Sequence, residues 1–531
     1  MKRRWIALGL FLLSALALGF WPLKSKVWTL PKPPAAELLK KQAYLKRLEP
    51  ASAKAPNIVL ILADDLGKFD ISLYGGSTAQ TPNIDKIGQK GIRFADGYTA
   101  SPICAPSRAA MLTGRSNNRF GMEFQPQARY PLNRLEYLAF RYIVPTDNWR
   151  VAAQFDFPDQ ESMDRQGLPR TEITLAEALS AAGYATAMFG KWHLGHGDGM
   201  RPNERGFQSF FGFYEAFTLF ADSNSPGMVN APTQEFSDKH IWKKGRSGTC
   251  ALLENGKPVK EEKYLTFAIA DRACSYIKDH KDKPFFLYLP FNAPHTPFQA
   301  PQEYYNKVKG EPNHVRRVYK AMILALDHAV GQITETLEKE GLIENTLIWF
   351  ASDNGAALYA LAGNNAPYRG GKLTHYEGGL NVPFMLQWKG RLLPLTFPYP
   401  TSLTDVMVTS MAAAGIPLPA DRTFDGVNLL PFLDSTTKAP HLEFKWKSGP
   451  NRALRNSRYK LVVNELSHTV ELFDLLTDPE ERHNLAGEQA ATVQSLMQNL
   501  NRWLQSLPPT LWPGIMDHGI EFNGKVYYFR V

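Results

Sequence analysis

Apolar stretches alternate with segments of helical periodicity through the middle of this chain. Residues 57–63 (NIVLILA) are a continuous apolar run after the initial Asn57, which is typical of a strand buried on both faces of a sheet. Three further apolar stretches predict buried strands at 184–189, 285–289 and 346–351. We expect these strands to form one sheet at the centre of the protein.

The segments between these strands have the spacing of amphipathic helices. One begins at Pro82, which the first turn of a helix accepts, and ends before Gly91. Others are predicted at 175–182 and 315–340, each ending just before a glycine. This alternation indicates an α/β fold in which a large, mostly parallel sheet lies between helices on both faces.

The pattern changes toward the C-terminus. Short alternating stretches at 458–463 and 470–473 precede a helical segment at 488–504. They predict a small α+β subdomain with an antiparallel sheet. We therefore expect a main domain over 57–430 and a C-terminal subdomain over 431–531.

Two segments fit this pattern poorly. Residues 116–170 are rich in Arg, Gln and aromatic side chains but only weakly periodic, and we interpret them as a long insertion near the substrate. Residues 206–220 (GFQSFFGFYEAFTLF) are dense in aromatic rings. Such rings stack on sugars in some proteins but more commonly pack a core.

The N-terminus has the three parts of an export segment. A basic start (KRR, 2–4) precedes the apolar run 5–21, and the basic segment 22–56 is predicted to be a linker ending in a short helix. The run is at the lower limit for a spanning helix, and Ala15-Leu16-Ala17 suits signal peptidase. Residues 1–21 are therefore either a signal peptide or a membrane anchor. Both alternatives predict an exported body that is periplasmic, held at the inner membrane, or secreted.

The distribution of charge restricts the function. The formal charge is +9, from 60 basic and 51 acidic residues, and residues 57–531 contain 49 of each sign. The surplus therefore belongs to the N-terminal segment, and a basic face for nucleic acid on the main domain is disfavoured. Three cysteines without a CxxC spacing exclude a disulfide-dense scaffold and a zinc site of that type.

Polar side chains follow four of the predicted strands, at the edge where open α/β sheets bind ligands. They are Asp64, Asp65, Lys191, His193, His295, Asp353 and Asn354. One Asp at a strand end is more often a helix cap than a ligand, but four such ends together favour a site. The Asp and Asn oxygens suit Ca²⁺ or Mg²⁺, and the Lys and His side chains suit an anionic substrate or proton transfer.

Cys104 begins a predicted helix that has Pro106 in its first turn and ends at Gly114. A Cys at a helix N-terminus by itself suggests a reactive thiolate. A soft thiolate facing a hard oxygen-only metal site is a chemical mismatch, however, so an oxygen-bearing group at this position fits better.

The segment 104–115 (CAPSRAAMLTGR) resembles the signature of the type I sulfatases, which belong to the alkaline phosphatase superfamily. The similarity continues through Asp64-Asp65, GKWHLG, His295, SDNG and the segment 371–379 (GKLTHYEGG). It extends into the C-terminal subdomain and covers roughly residues 56–505 in family order. The resemblance implies an arylsulfatase-like sulfuric ester hydrolase with a catalytic domain over 57–430.

The resemblance also implies a nucleophile and a cofactor. Cys104 would be oxidised to formylglycine during export by a formylglycine-generating enzyme. One hydroxyl of its hydrate would attack sulfur, and the other would later expel sulfate from the covalent sulfo-enzyme. The implied ligands of Ca²⁺, with Mg²⁺ as the alternative, are Asp64, Asp65, the modified Cys104, Asp353 and Asn354.

Further roles follow from the same resemblance. Arg108 would fix the hydrate, and Lys191, Lys372 and His295 would contact the sulfate. Either His295 or Lys372 would protonate the leaving oxygen, and His193 would assist the elimination. The predicted substrate is a sulfated carbohydrate, including sulfated polysaccharide, or an aryl sulfate.

Several questions stay open at the level of sequence. Asn381 stands where the family often has Arg, which puts the anchoring of its loop in doubt. Cys250 and Cys274 form either a disulfide or two free thiols. One alternative function, known in the same superfamily, is the hydrolysis of phosphonate monoesters or phosphodiesters. A second alternative is a membrane-tethered, non-catalytic binder of sulfated glycans, but the intact set of polar residues argues against it.

Overall fold

The computed structural model describes residues 2–21, 28, 30–76, 78–127, 129–152, 156–233, 235–433, 438–522 and 524–531. Most of the first half of the predicted linker, 22–27 and 29, lies outside the described residues. The helices are α1 Lys2–Phe20, α2 Ala35–Lys46, α3 Pro82–Gln89, α4 Cys104–Thr113, α5 Arg134–Tyr142, α6 Gln160–Asp164, α7 Leu175–Ala181, α8 Phe236–Lys244, α9 Leu265–Asp279, α10 Gln302–Lys307, α11 His314–Lys339, α12 Glu377–Leu380, α13 Asp405–Ala413, α14 Leu430–Leu433 and α15 Ala490–Gln505.

The strands include all four predicted in the main domain, with ends that differ by one or two residues. They are β1 Asn57–Ala63, β2 Ile92–Phe94, β3 Gly97–Tyr98, β4 Trp149–Val151, β5 Ala185–Lys191, β6 Ser209–Phe213, β7 Met228–Asn230, β8 Leu253–Glu254, β9 Lys257–Pro258, β10 Phe285–Pro290, β11 Gln299–Pro301, β12 Thr346–Ser352, β13 Asn381–Val382, β14 Phe384–Gln387, β15 Leu395–Phe397, β16 Thr401–Ser402, β17 Glu443–Ser448, β18 Asn451–Asn456, β19 Tyr459–Asn464, β20 Thr469–Asp474, β21 Met516–Phe522 and β22 Lys525–Arg530.

The central sheet confirms the predicted fold class. In the described part of the chain its strand order is β15-β2-β14-β12-β1-β10-β5-β6-β8-β9. The inner strands β12, β1, β10, β5 and β6 are parallel, and the antiparallel pairs lie toward the two edges. Alternate residues of β1 enter different hydrophobic cores: Leu60 and Leu62 pack on one side, Val59 and Ile61 on the other. A strand of this kind needs apolar side chains on both faces, which explains the apolar sequence of β1 from position 58 to position 63.

The pairing of β1 with its neighbours aligns the predicted site. Leu62 is opposite Pro290 of β10, and Ala63 is opposite Ser352 of β12, so the three strands end together. Beyond these ends the Asp64 amide donates to the Ala293 carbonyl at 3.1 Å. The polar residues that follow each strand are thereby gathered at one edge of the sheet.

The C-terminal part has the predicted antiparallel sheet, in the order β17-β18-β19-β20, with α15 packed on it through Leu496 and Leu500. The last two strands form a hairpin that sequence patterning did not predict. Its strand β21 pairs with β4 of the insertion 116–170, so the end of the chain returns to the main domain.

The N-terminal segment contains two helices, α1 and α2. Among the described residues, no helix has both the length and the apolar character needed to cross a membrane. Helix α2 packs on the main domain, where the Lys41 ammonium donates to the carbonyls of Arg170 and Glu172 and to the Glu177 carboxylate at 2.5–3.0 Å. Export and the predicted domain boundaries stay predictions.

The cysteines answer the question about a disulfide. Cys104, Cys250 and Cys274 are all free thiols. Cys250 is buried and Cys274 is partly exposed, with its sulfur 3.5 Å from the Gln332 carbonyl oxygen. Of the two alternatives for Cys250 and Cys274, the structure therefore shows two free thiols and no disulfide between them.

Candidate active site

Cys104 is the first residue of α4, a helix in which every residue is buried. Gly114 ends the helix with φ of 66°, a left-handed conformation that glycine adopts without strain. The Cys104 sulfur lies 3.6 Å from Asp64 Oδ1 and 3.7 Å from Asp65 Oδ1. Burial, reinforced by Asp353, raises the pKa of the Cys104 thiol well above its usual value. The unmodified side chain is thus a neutral thiol, not the thiolate suggested by its helix position alone.

Asp64 pairs with two buried cations. Its Oδ2 is 2.6 Å from the Lys191 ammonium, and its Oδ1 is 3.3 Å from Arg108 Nη2. Burial opposes ionisation, but Lys191, His295 and Arg108 together hold the pKa of Asp64 below its usual value. Asp64 is therefore a carboxylate despite its complete burial.

Asp65 has a left-handed backbone with φ of 61°, which turns its side chain toward the same edge. Its carboxylate lies 2.8 and 2.9 Å from the Lys372 ammonium and accepts from Asn354 Nδ2 at 2.7 Å. His295 Nε2 is 3.6 Å away. Burial opposes its ionisation, and Lys372 and His295 outweigh burial and lower the pKa of Asp65.

Arg108 and Asp353 form the deepest pair of the site. Arg108 donates from Nε at 2.8 Å to Asp353 Oδ2, and its Nη2 lies 2.7 Å from the same oxygen. The other Asp353 oxygen accepts from the Asp65 amide at 3.2 Å. Both side chains are fully buried. Arg108 also donates to the Lys191 carbonyl at 3.2 Å, so one guanidinium connects three strand ends.

The two predicted site histidines are buried and differ in their contacts. His193 has φ of 56°, and its Nδ1 has no hydrogen-bond partner among the residues described. Burial, then Lys191 and Arg108, lowers the pKa of His193 well below its usual value, which keeps the ring neutral. His295 Nδ1 is 2.5 Å from the Thr296 carbonyl oxygen, which directs its Nε2 toward Asp65.

The polar cluster fits a hard divalent cation. One ligand atom each of Asp64, Asp65, Cys104 and His295 lies within 4.8 Å of the others. Asn354 Oδ1 is buried without a protein partner in the described chain, as expected of an oxygen free to bind a cation. Of the predicted ligands, this compact group contains Asp64, Asp65 and Cys104, and it includes His295 in place of Asp353. The Asp353 carboxylate contacts Arg108 instead, and the predicted ligand set as a whole stays a prediction.

Several residues that support the site were not predicted. Thr99 donates to the Asp353 carbonyl at 2.7 Å and is hydrogen-bonded to Ser107. The Ser352 hydroxyl accepts from the Leu66 amide at 2.9 Å and donates to the Asn354 carbonyl at 2.8 Å. Ser107 and Ser352 lie within the CAPSRAAMLTGR and SDNG segments, but the sequence does not show which groups their hydroxyls contact, and Thr99 lies outside every segment quoted above.

The loop that contains Lys372 is anchored despite Asn381. The Asn381 side chain accepts from the Lys68 ammonium at 3.0 Å and donates to Asp96 at 2.8 Å and Glu377 at 3.0 Å. Glu377 in turn pairs with Lys460 of the C-terminal sheet at 2.8 Å. These contacts resolve the doubt about this loop.

Comparison with known proteins agrees with this arrangement. The sulfatase family model matches residues 56–416. N-acetylgalactosamine-6-sulfatase of Mus musculus is 30% identical over 466 residues, which are 87% of this chain and 82% of the relative. Arylsulfatase A of Homo sapiens is 32% identical over 85% of this chain and 87% of its own length.

Solved structures have the same fold. The crystal structure of Ps i-CgsB is 30% identical, covers 86% of this chain and 94% of its own, and superposes with a TM-score of 0.72. The phosphonate monoester hydrolase of Agrobacterium radiobacter, at 20% identity and a TM-score of 0.57, shares the fold alone. The family match, the relatives and the buried cluster around Cys104 establish that this chain belongs to the type I sulfatases of the alkaline phosphatase superfamily, and that it is a sulfatase enzyme.

Proposed function

We propose that this chain is an exported sulfatase that removes sulfate from a carbohydrate, using a formylglycine formed from Cys104 and a bound Ca²⁺ or Mg²⁺. The observation that supports this most strongly is the surroundings of the Cys104 side chain. Two carboxylates lie within 3.7 Å of its sulfur, and each is paired with a lysine ammonium within 2.9 Å. A sulfate group needs such a set of buried cations around the nucleophile.

The residues can be given distinct tasks. Lys191 and Lys372 would hold the sulfate oxygens, because their ammonium groups pair with Asp64 and Asp65, the two carboxylates beside the Cys104 sulfur. Arg108 would keep the nucleophile oriented, since Asp353 and Asp64 fix its guanidinium. His295, held by the Thr296 carbonyl, would give a proton to the leaving oxygen, and His193 would take a proton during release of sulfate.

Two groups that complete this chemistry are implied by the family. A formylglycine at position 104 supplies a hydrated aldehyde whose hydroxyl is the nucleophile. A cation held by Asp64, Asp65, Asp353 and Asn354 supplies Lewis-acid stabilisation of negative charge on the sulfuryl oxygens. Asn354 Oδ1, buried and unpartnered within the described residues, supports the cation at this position.

The substrate class rests on the relatives. The mouse relative is named for N-acetylgalactosamine 6-sulfate, and a structure of Ps i-CgsB, 29% identical to this chain, contains a κ-ι-κ-neocarrahexaose. Both names refer to carbohydrate. We therefore propose a sulfated sugar as the substrate of this chain.

Mass spectrometry of the Cys104 peptide, together with turnover assays, tests the proposal. The wild-type protein from an exporting host should carry formylglycine and release sulfate from a sulfated sugar. Cys104→Ala should reduce turnover by more than about a thousandfold, the order of losing an activated nucleophile. Cys274→Ala is the matched control, because this thiol is outside the cluster and free. An unmodified Cys104 in active protein, or faster turnover of a phosphodiester, would overturn the proposal.

A further inference from the structure

Three aromatic side chains from distant parts of the chain meet in one cluster. Trp149 stacks on His518 with ring centroids 4.3 Å apart and planes 17° apart. Tyr359 meets the edges of both, at 5.3 Å from Trp149 and 5.1 Å from His518. We call Trp149, Tyr359 and His518 the aromatic platform.

The platform exists because the C-terminal hairpin returns to the insertion. Strands β21 and β4 pair in a register that puts His518 directly opposite Trp149. Directly opposed aromatic rings on adjacent strands stabilise the pairing. The returning strand therefore holds the Trp149 ring of the insertion in place.

The third ring belongs to the active-site loop. This loop starts at Asp353-Asn354 and ends at Lys372, whose amide donates to the Ala356 carbonyl at 3.1 Å. Tyr359 is three residues beyond Ala356, inside the closed loop. A Cβ on Gly371, the residue before Lys372, would lie 3.0 Å from Leu358, the residue before Tyr359, so the two parts of the loop are neighbours. The platform thus adjoins the proposed sulfate pocket.

The chemical character of the platform is apolar, with a carboxylate beside it. Burial lowers the pKa of His518 to about 4, so its ring is neutral at neutral pH. Trp149 and Tyr359 are partly exposed, whereas His518 is 3% exposed. The Trp149 indole donates to Glu235, which also accepts from the Ser237 amide at 2.8 Å and so has a fixed position. A sugar ring has matching surfaces, with C–H groups on its faces and hydroxyls at its edge.

We propose that Trp149 and Tyr359 form the binding surface for the sugar ring whose sulfate enters the Cys104 pocket, with Glu235 accepting from its hydroxyls. His518 is a positioning residue that holds Trp149. This assignment rests on the proposed function, and it names the part of the protein that recognises the carbohydrate. Aromatic surfaces with a few fixed polar groups are the usual construction of such sites.

Calorimetry on a Cys104→Ala background tests the platform without turnover. The probes are N-acetylgalactosamine 6-sulfate, glucosamine 2-N,6-O-disulfate and inorganic sulfate, each in calcium-containing buffer. Adding Trp149→Leu should weaken binding of at least one sulfated sugar by about three- to tenfold, the worth of an aromatic contact. The affinity for inorganic sulfate, which has no ring, should change less than about twofold by the same argument. The Trp149→Phe variant should lose less affinity for the sulfated sugar than the Trp149→Leu variant.

Trp503→Leu is the matched control, since this tryptophan belongs to α15 and packs on the hydrophobic core of the C-terminal sheet. Equal losses for sugars and sulfate, or a sugar affinity that Trp149→Leu leaves unchanged, would overturn the platform. So would binding of sulfate with no binding of either sugar. If the wild-type protein hydrolyses no sulfate ester, the proposed function fails, while these affinities still decide the platform.

Discussion

Lys460 is a buried cation shared by two buried carboxylates where α12, which follows the active-site loop, meets the C-terminal subdomain. Its ammonium lies 2.8 Å from Glu377 Oε1 and 3.0 Å from Glu481 Oε1, and each of the three side chains is at most 3% exposed. Glu481 also accepts from the Glu377 amide at 2.6 Å. We predict that Lys460→Met destabilises the protein strongly, because it leaves two carboxylates buried without their cation.

The magnitude follows from the burial. Removing one partner of a buried ion pair costs about 3–5 kcal/mol, since the remaining charge is desolvated and unpaired. Burial, and then the nearby Glu377 charge, already raise the pKa of Glu481 against the opposing effect of Lys460. Loss of Lys460 should therefore force at least one of the two carboxyls to take up a proton. The loss is a large fraction of the roughly 5–15 kcal/mol that stabilises a typical domain.

Urea unfolding followed by tryptophan fluorescence measures the effect. Lys389→Met is the matched control, because Lys389 pairs with Glu344 where both side chains are about half exposed, 45% and 58%. Such a pair contributes about 0–1 kcal/mol. The triple variant Glu377→Gln/Lys460→Met/Glu481→Gln should recover much of the lost stability, because no uncompensated charge remains. The reasoning is refuted if Lys460→Met lowers the free energy of unfolding no more than Lys389→Met does. It is also refuted if the triple variant is no more stable than Lys460→Met.

Three further outcomes are expected. Burial opposes the charged form of His441, but Asp405 at 2.9 Å outweighs it and raises the pKa of His441. The resulting stabilisation is fully present below the unfolded pKa of about 6.5 and is lost as the pH rises through the raised folded value. The difference in unfolding free energy between wild type and His441→Gln should therefore decrease as the pH rises above about 6.5, and a difference that stays constant contradicts this. Gly355→Ala should abolish folded, active protein, because a Cβ would lie 1.8 Å from the Gly378 carbonyl oxygen, whereas Gly487→Ala, with open space around it, should express normally. Dialysis against EDTA should abolish turnover until Ca²⁺ is returned, because without a cation Lys191 and Lys372 stay paired with the carboxylates. Turnover that is unchanged after EDTA treatment counts against a catalytic metal ion.

Much of the active site could be predicted because its residues are local in sequence. Asp64 and Asp353 each follow a largely apolar strand, and parallel strands bring their carboxyl ends to one edge whatever the intervening sequence is. The start of α4 at Cys104 was predictable for the same reason, since Pro106 and Gly114 mark a helix by their own backbone preferences. These features depend on neighbours within a few positions.

Contacts between distant segments were not predictable in this way. Arg150 and Asp517, in the paired strands β4 and β21, are 367 positions apart, and nothing in either short strand selects the other. The sequence does not show that Glu377, although it lies in the segment 371–379, forms a buried triad with Lys460 and Glu481. The members of this triad become partners only when α12 and the C-terminal subdomain are packed together.

The sequence by itself determined the α/β architecture, the sulfatase family, the neutral main domain and the set of polar residues at the strand ends. Periodicity and charge are properties of the chain alone, so they need no folded neighbour. The tertiary structure decided that Asp64 and Asp65 each hold a lysine, that Arg108 pairs with Asp353, and that the C-terminal hairpin stacks on the insertion. The strength of these interactions depends on the distance between the partners and on their burial. Both are defined only after segments that are distant in sequence pack against each other and exclude water.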